Sequence, residues 1–462
     1  LLVTAMFETW DATRYEKILY ESLRPKSLAA RCAGIARAIR ISHQERLAPH
    51  QTAHVTAAGL VGPLVFCYAW WLLRSVCARK IHRIYFMARD GQIFMEAARE
   101  LIAGWGLDLD IRYLYCSRES LFLPSYENTG KFELYWIPWG YAGTITLAEV
   151  CRRVGLRPGE LPDAASASSR APWYRDPHRA ITLAELPELY ALLQEPELEE
   201  LIRQRSRPLF DDSMAYFRQE GLTDGTPFVL ADTGWRGSSQ YALSALLHKA
   251  GQRPPDGLAG YYFGLNRETH LFGNDRMQAF LFDWRDQPRD YRLYYFICFE
   301  MLFAADHGRT IRYRRHADRL EPLLADTPDR RVAELIGIHH AQTVAFARQA
   351  AAMIGFDEYP ADLPAVAAKL ARAFICTPTK REAEAYGEWP IASEIREGDF
   401  QPIAPPMGAG RFFNCALGRE KISGFWPQAS LARGGQPLIC ATYNRFLDMK
   451  LLDWYRRVIL RY

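Results

Sequence analysis

The chain has 462 residues, of which 49% are apolar and 24% charged, with a formal net charge of +4 at neutral pH. Such a chain can form one large domain or two to three smaller ones, and its composition excludes a disordered or fibrous protein. The mild positive balance favours anionic ligands without calling for nucleic acid. Nine cysteines without a C-x-x-C pair, an odd number, fit reduced thiols in a cytoplasmic protein and argue against structural zinc.

Residues 1–80 read as helical and end in an apolar run, Ala57–Leu73, interrupted by Gly59, Gly62 and Pro63. The run is short for a bilayer and predicts a helix buried under a sheet. The start of the chain lacks the basic-then-apolar pattern of a secretory signal, and its Leu1 in place of Met suggests a segment of something longer. Strand–helix alternation begins at Ile84–Ala88. A turn of Arg89, Asp90 and Gly91 follows, then a helix through Leu101 whose Ile93, Phe94, Ala97, Ala98 and Leu101 share one face. Another strand, Ile111–Cys116, leads to Ser117 and Arg118. Charged residues at the carboxyl ends of parallel strands fall where open α/β sheets bind ligands.

Residues 126–225 form a polar, helical insertion, placed to act as a hood over a site or as a fixed subdomain. The most informative stretch comes next. Apolar Phe228–Ala231 delivers Asp232 to a turn of Thr233, Gly234, Trp235, Arg236, Gly237, Ser238 and Ser239, and Tyr241, Leu243, Leu246 and Leu247 then recur at helical spacing. The first N–H groups of a helix lack partners and carry partial positive charge, so a strand entering such a turn makes an anion site. An ordinary turn whose Ser and Thr cap the helix is the plain alternative. Further strands are expected at Leu258–Gly264 and Gln278–Asp283, and residues 316–462 read as mostly helical. His339–His340 lie in a helical stretch without a matching ligand pair. The tail, Tyr443–Tyr462, alternates Phe446, Leu447, Leu451, Trp454 and Tyr455 with Arg445, Lys450, Arg456, Arg457 and Arg461. It reads as a helix packed on its own domain or as a basic amphipathic helix on an anionic membrane surface.

The Asp232 turn resembles the phosphoribosyl-pyrophosphate (PRPP) motif of type I phosphoribosyltransferases, and the ArgAspGly turn looks like that fold's pyrophosphate loop. The ensemble resembles the phosphoribosyltransferase modules of bacterial polysaccharide assembly, often found beside a HAD-type phosphatase. Gly59–Leu72, Tyr85–Gly91, Tyr113–Ser125, Phe228–Gln240, Gly260–Leu265 and Phe299–Tyr313 carry the likeness. The resemblance implies an α/β fold with a parallel-sheet phosphoribosyltransferase-like core from residues 81–125 and 226–315, flanked by helical N-terminal, inserted and C-terminal segments. It implies transfer of 5-phosphoribose from PRPP to a hydroxyl of a glycan acceptor, lipid-linked if the tail lies on a membrane. A single acid, Asp232 after Ala231, and the bulky Trp235 and Arg236 depart from the family pattern. Asp108–Leu109–Asp110 lies before a strand and lacks the HAD nucleophile context, so the phosphatase is expected on a separate chain or domain.

On this resemblance, Arg89 and the Asp90–Gly91 backbone would hold the pyrophosphate, with Arg118 as a second cation. Thr233–Ser239 would hold the 5-phosphate and Asp232 would orient the ribose hydroxyls. Mg²⁺ would be bound mainly through substrate phosphates, which leaves no dense ligand motif. A hydroxyl acceptor needs a general base, and Asp90, Glu300, Asp306 and His307 are the candidates. A phosphosugar or nucleotide hydrolase, or a non-catalytic phosphate-binding regulator, would use the same turns. All these readings require the two turns to meet on one rim of a single sheet.

Overall fold

The structure, a computed structural model, describes residues 11–42, 50–138, 145–162, 171–287, 293, 296–326, 329–392, 400–417, 419–420 and 424–448. Its centre is a five-stranded, all-parallel sheet in the order β2-β1-β3-β4-β5. The strands are β1 Arg83–Met87, β2 Asp110–Leu114, β3 Phe228–Trp235, β4 Ala259–Leu265 and β5 Arg276–Asp283. Strand order reverses between β1 and β3, the position at which open α/β sheets form a crevice at their carboxyl ends.

The near-continuous apolar runs of the central strands follow from burial on both faces. Ile84, Phe86, Val229 and Ala231 point into one core, whereas Tyr85, Met87 and Leu230 point into the other. The first core is covered by the Gly91–Trp105, Gly62–Ala78 and Arg330–Met353 helices, the second by the Ser238–Lys249 helix and the insertion. The insertion is helical as expected, and Leu189, Leu192, Leu198, Ile202, Met214 and Phe217 pack it onto the sheet as part of this second core.

The apolar run is part of a helical stretch, Gln51–Ala78, with a π-helical segment at Ala57–Val61. It is long and apolar enough to cross a membrane, yet most of it is buried against the protein, as the sheet-covering expectation requires. Tyr68 projects from it to donate a hydrogen bond to the Tyr261 carbonyl at 2.8 Å.

Several boundaries differ from the sequence reading. β1 and β2 each begin one residue earlier than expected, and the helix after β1 continues to Trp105. The C-terminal region is mostly helical but carries antiparallel ribbons: β6 Thr310–His316 with β7 Arg319–Leu324, and Pro390–Ala392 with Phe400–Pro402. Of the proposed membrane-surface tail, residues up to Asp448 belong to the Pro437–Asp448 helix, and residues 449–462 lie outside the described residues.

Candidate functional site

The largest departure from the expected site concerns β3. It continues through Asp232, Thr233, Gly234 and Trp235, so the turn expected to span Thr233–Ser239 is confined to Arg236 and Gly237 before the helix starts at Ser238. The reason is pairing: Asp232 lies opposite Tyr262, Gly234 opposite Gly264 and Trp235 opposite Leu265. On its other side β3 loses its neighbour, because β1 ends at Met87 and its last partner on β3 is Ala231. The Arg89–Asp90–Gly91 turn therefore sits beside the exposed edge of the β3 extension.

Glycine is required twice in this stretch. Gly234 has φ 124°, and a Cβ there would lie 2.0 Å from the Gly264 carbonyl oxygen. Gly237 has φ 67°, and a Cβ would lie 2.1 Å from Met277 Cε. The turn is thus built by close backbone packing and a left-handed residue rather than by a Ser or Thr cap.

The two aspartates and Glu300 form one electrostatic cluster. Asp90 and Asp232 are half-buried at the sheet's carboxyl edge, where open α/β sheets form their crevice. Burial first, then the charge of Glu300, raises the Asp90 carboxyl to about 7, against the favourable charge of Arg89. Asp232 is pushed well above the usual carboxylate range by burial and by the charge of Asp90, although its Oδ1 accepts a hydrogen bond from Thr233 N at 2.8 Å. The Thr233 hydroxyl lies near enough to favour the Asp90 anion but outside hydrogen-bond geometry, and it is buried without a partner. Glu300, on the Ile297–Leu302 helix, accepts a hydrogen bond from Trp235 Nε1 at 2.8 Å. Trp235 is itself buried and stacks on Phe282, so it works as a holder of Glu300 and not as part of a phosphate loop.

Both helices that begin at this edge lack a side-chain cap: Gly91–Trp105 after Asp90, and Ser238–Lys249 after Gly237. Thr13, Ser117, Thr146, Asp329 and Thr379 cap other helices, whereas Pro196–Gln219 and Leu363–Cys376 are among those that also lack a side-chain cap. The Gln92 N–H is taken by the Arg89 carbonyl at 3.0 Å, and first-turn N–H groups without an acceptor can receive an anion.

The remaining expected residues occupy distinct places. Arg89 is exposed, and its carbonyl accepts from Tyr113 Oη at 3.0 Å. The same hydroxyl lies 2.7 Å from His307 Nε2, and His307 Nδ1 lies 2.8 Å from the Gly308 carbonyl. Both ring nitrogens of His307 are therefore engaged, which removes it as a ready general base. Asp306 is exposed, with its N–H donating to Gln92 Oε1 at 3.2 Å. Arg236 turns towards the insertion, 3.3 Å from Tyr135 Oη and 3.6 Å from Glu268. Ser238 is buried at the first helical position and Ser239 is half-buried beside it. Arg118 opens the Arg118–Ser125 helix after β2, where its charge reaches Arg153.

Sequence reasoning missed the roles of Tyr113, Gln92 and the indole of Trp235. Tyr113 was marked only as the start of the Tyr113–Ser125 likeness. Asp110, by contrast, opens β2 and pairs with Arg83 at 2.7 Å, which makes the Asp108–Asp110 stretch structural.

Among the described residues no group of three or more His, Cys, Asp and Glu side chains is arranged to hold a metal ion. Two surface hollows, of about 480 and 420 Å³, lie elsewhere, one beside Pro162 and Leu201 and one beside His50 and Arg381. Neither a scan against protein-family models nor a search of curated proteins gives a match to this chain.

Proposed function

We propose that the chain transfers 5-phosphoribose from PRPP to a hydroxyl of a glycan acceptor. The observation that carries this reading is the meeting of Asp90 and Asp232 at the reversal point of a parallel sheet, with an uncapped helix start behind each. Two anion-receptive turns separated by carboxylates suit a ligand with phosphate at both ends and hydroxyls between them. The expected phosphoribosyltransferase-like core belongs to this proposal, since a five-stranded parallel sheet is common to many activities.

This reading assigns the following roles. Arg89 and the first N–H groups of the Gly91–Trp105 helix hold the pyrophosphate, and the Arg236–Ser239 turn takes the 5-phosphate. Asp232 faces the ribose hydroxyls. The acceptor oxygen bonds to C1 as the C1–O bond to pyrophosphate breaks, and that electron pair leaves with pyrophosphate. The acceptor proton passes to Asp90, whose carboxyl titrates near neutrality as a general base should. Direct displacement of an α-linked pyrophosphate gives a β-riboside.

The described carboxylates form no ligand group for a metal by themselves, so Mg²⁺ would be held mainly through the substrate phosphates. When bound, it would neutralise the phosphates of the leaving group, with Asp232 the carboxylate best placed to share it. A HAD-type phosphatase on another chain or domain would remove the 5-phosphate from the product.

The test is thermal stabilisation by PRPP with Mg²⁺, followed by pyrophosphate release on adding glycan acceptors. Asp232→Asn is expected to abolish the stabilisation. An unchanged response in the variant removes Asp232 from the site. Turnover with water alone would instead mark a hydrolase, and stabilisation without any turnover a binding protein.

A further inference from the structure

The adjacent histidines of the Arg330–Met353 helix are both buried, and neither belongs to the carboxylate cluster. His339 Nδ1 lies 3.0 Å from the Leu302 carbonyl and its Nε2 lies 2.9 Å from Tyr386 Oη. A hydroxyl can donate, so a neutral His339 with its proton on Nδ1 satisfies both contacts. His340 differs. Its Nδ1 lies 2.7 Å from Glu96 Oε2 and its Nε2 lies 3.0 Å from the Ala304 carbonyl. A carbonyl and an ionised Glu96 only accept, so with Glu96 ionised only the imidazolium makes both hydrogen bonds, and a neutral ring must give one up.

These contacts converge on the segment between Glu300 and His307. Leu302 and Ala304 are held by the two histidines, and the Asp306 N–H is held by Gln92 Oε1 at 3.2 Å. Gln92 Nε2 in turn donates to Glu96 Oε1 at 3.3 Å, one helical turn away. The first turns of the Gly91–Trp105 helix and the histidine pair thus hold the segment through one connected network.

We propose that His340 is a positioning residue: as an imidazolium bridging Glu96 to the Ala304 carbonyl, it locks the Leu302–His307 segment, and loss of its proton releases that segment from the site. The groups facing it agree with a cation. Glu96 faces it from the Gly91–Trp105 helix, and Asp306 acts on it from the clamped segment. On the same side Glu100 is engaged by Arg348, and from the Gln51–Thr56 helix His54 is taken up by Gln342. On its own helix His339 is held neutral by burial, with a pKa lowered to about 3. For His340, burial opposes the charge and Glu96 favours it, with a raised pKa as the outcome. The bridge is therefore complete at low pH and is lost as pH rises through that raised value, above the ordinary 6.5 of histidine.

The brace does not depend on the transfer reading, so it is tested on the full chain without substrate. Amide hydrogen exchange of peptides covering residues 299–308 is followed from pH 6 to pH 9 and corrected for the intrinsic pH dependence of exchange. The wild type should lose protection by about tenfold across one titration step, the worth of one charge-assisted hydrogen bond. His340→Gln should exchange fast at pH 6 and show no step. Glu96→Gln keeps the side-chain shape, removes the favouring charge and offers an amide donor to a neutral ring, so the step should move to lower pH or vanish, which a merely structural contact would not do. Absence of a step in the wild type, persistence of the step in His340→Gln, or an unmoved midpoint in Glu96→Gln overturns the proposal.

Discussion

Replacing Asp90 by Asn should make the ligand-free protein more stable while removing its proposed base. The carboxyl titrates at about 7 in the folded chain against 3.8 for an ordinary aspartate, because burial and Glu300 oppose its charge. A raised carboxyl pKa means that the folded state holds the proton more tightly than the unfolded state, so wild-type stability falls as pH rises. The penalty is absent below the unfolded value, grows between the two values and is fully present above about pH 7. A displacement of roughly three units corresponds to at most about 4 kcal/mol, and solvent contact in the cleft reduces it. For a chain this long, unfolding entropy makes that a Tm difference of about 4 °C or less. Asp90 makes no side-chain cap to its helix, so the substitution removes no compensating hydrogen bond there. Thermal melts of both proteins from pH 4 to pH 8.5 give the answer. The variant's advantage should be negligible at pH 4, rise through pH 6 and level off above pH 7, and pyrophosphate release by the variant should be lost. An advantage that does not vary with pH, or a variant less stable at pH 8, would refute the claim that Asp90 sits in a charge-opposing cleft.

Two further substitutions test the β3 extension. Gly234→Ala places a Cβ 2.0 Å from the Gly264 carbonyl oxygen at a positive φ, so two paired backbones must separate. It should cost about 3 kcal/mol or more, read as a shift in the denaturation midpoint; wild-type stability in the variant would contradict the strand pairing. Trp235→Phe keeps an aromatic ring against Phe282 but deletes the N–H that Glu300 accepts. Stability should fall by about 1–3 kcal/mol, and in pyrophosphate release kcat should drop with little change in the KM for PRPP.

The strand–turn–helix units were legible because their causes are local. Apolar runs at Arg83–Met87 and Phe228–Ala231 ended in charged residues and glycines, and helical periodicity resumed at once. The buried helix beneath the sheet could be read from the glycines within its apolar run, at which Tyr15 and Phe346 pack closely. Local pattern put both aspartates at strand ends, and Asp90 does follow β1, whereas Asp232 lies inside β3 at the point where β1 no longer flanks it. The sequence could not reveal that β3 outruns β1, because strand length here is set by pairing with β4. The expected phosphate loop therefore lost Thr233, Gly234 and Trp235 to the sheet.

What only the tertiary structure decided is which distant groups share the cleft. Glu300 meets the Trp235 indole across 65 positions of chain, and His340 meets Glu96 across 244. Contacts at such separations leave no periodicity or spacing in the sequence. They determine the electrostatics nonetheless, since carboxylate repulsion and desolvation act through space once the chain has folded. The amino-acid order by itself determined the Arg89–Gly91 turn and the strand–helix alternation around the sheet, while pairing with β4 cut the second turn to Arg236 and Gly237. Packing determined that Asp90 and Glu300 act on Asp232, that His307 is tied to Tyr113, and that a histidine outside the cluster bonds the chain just after Glu300.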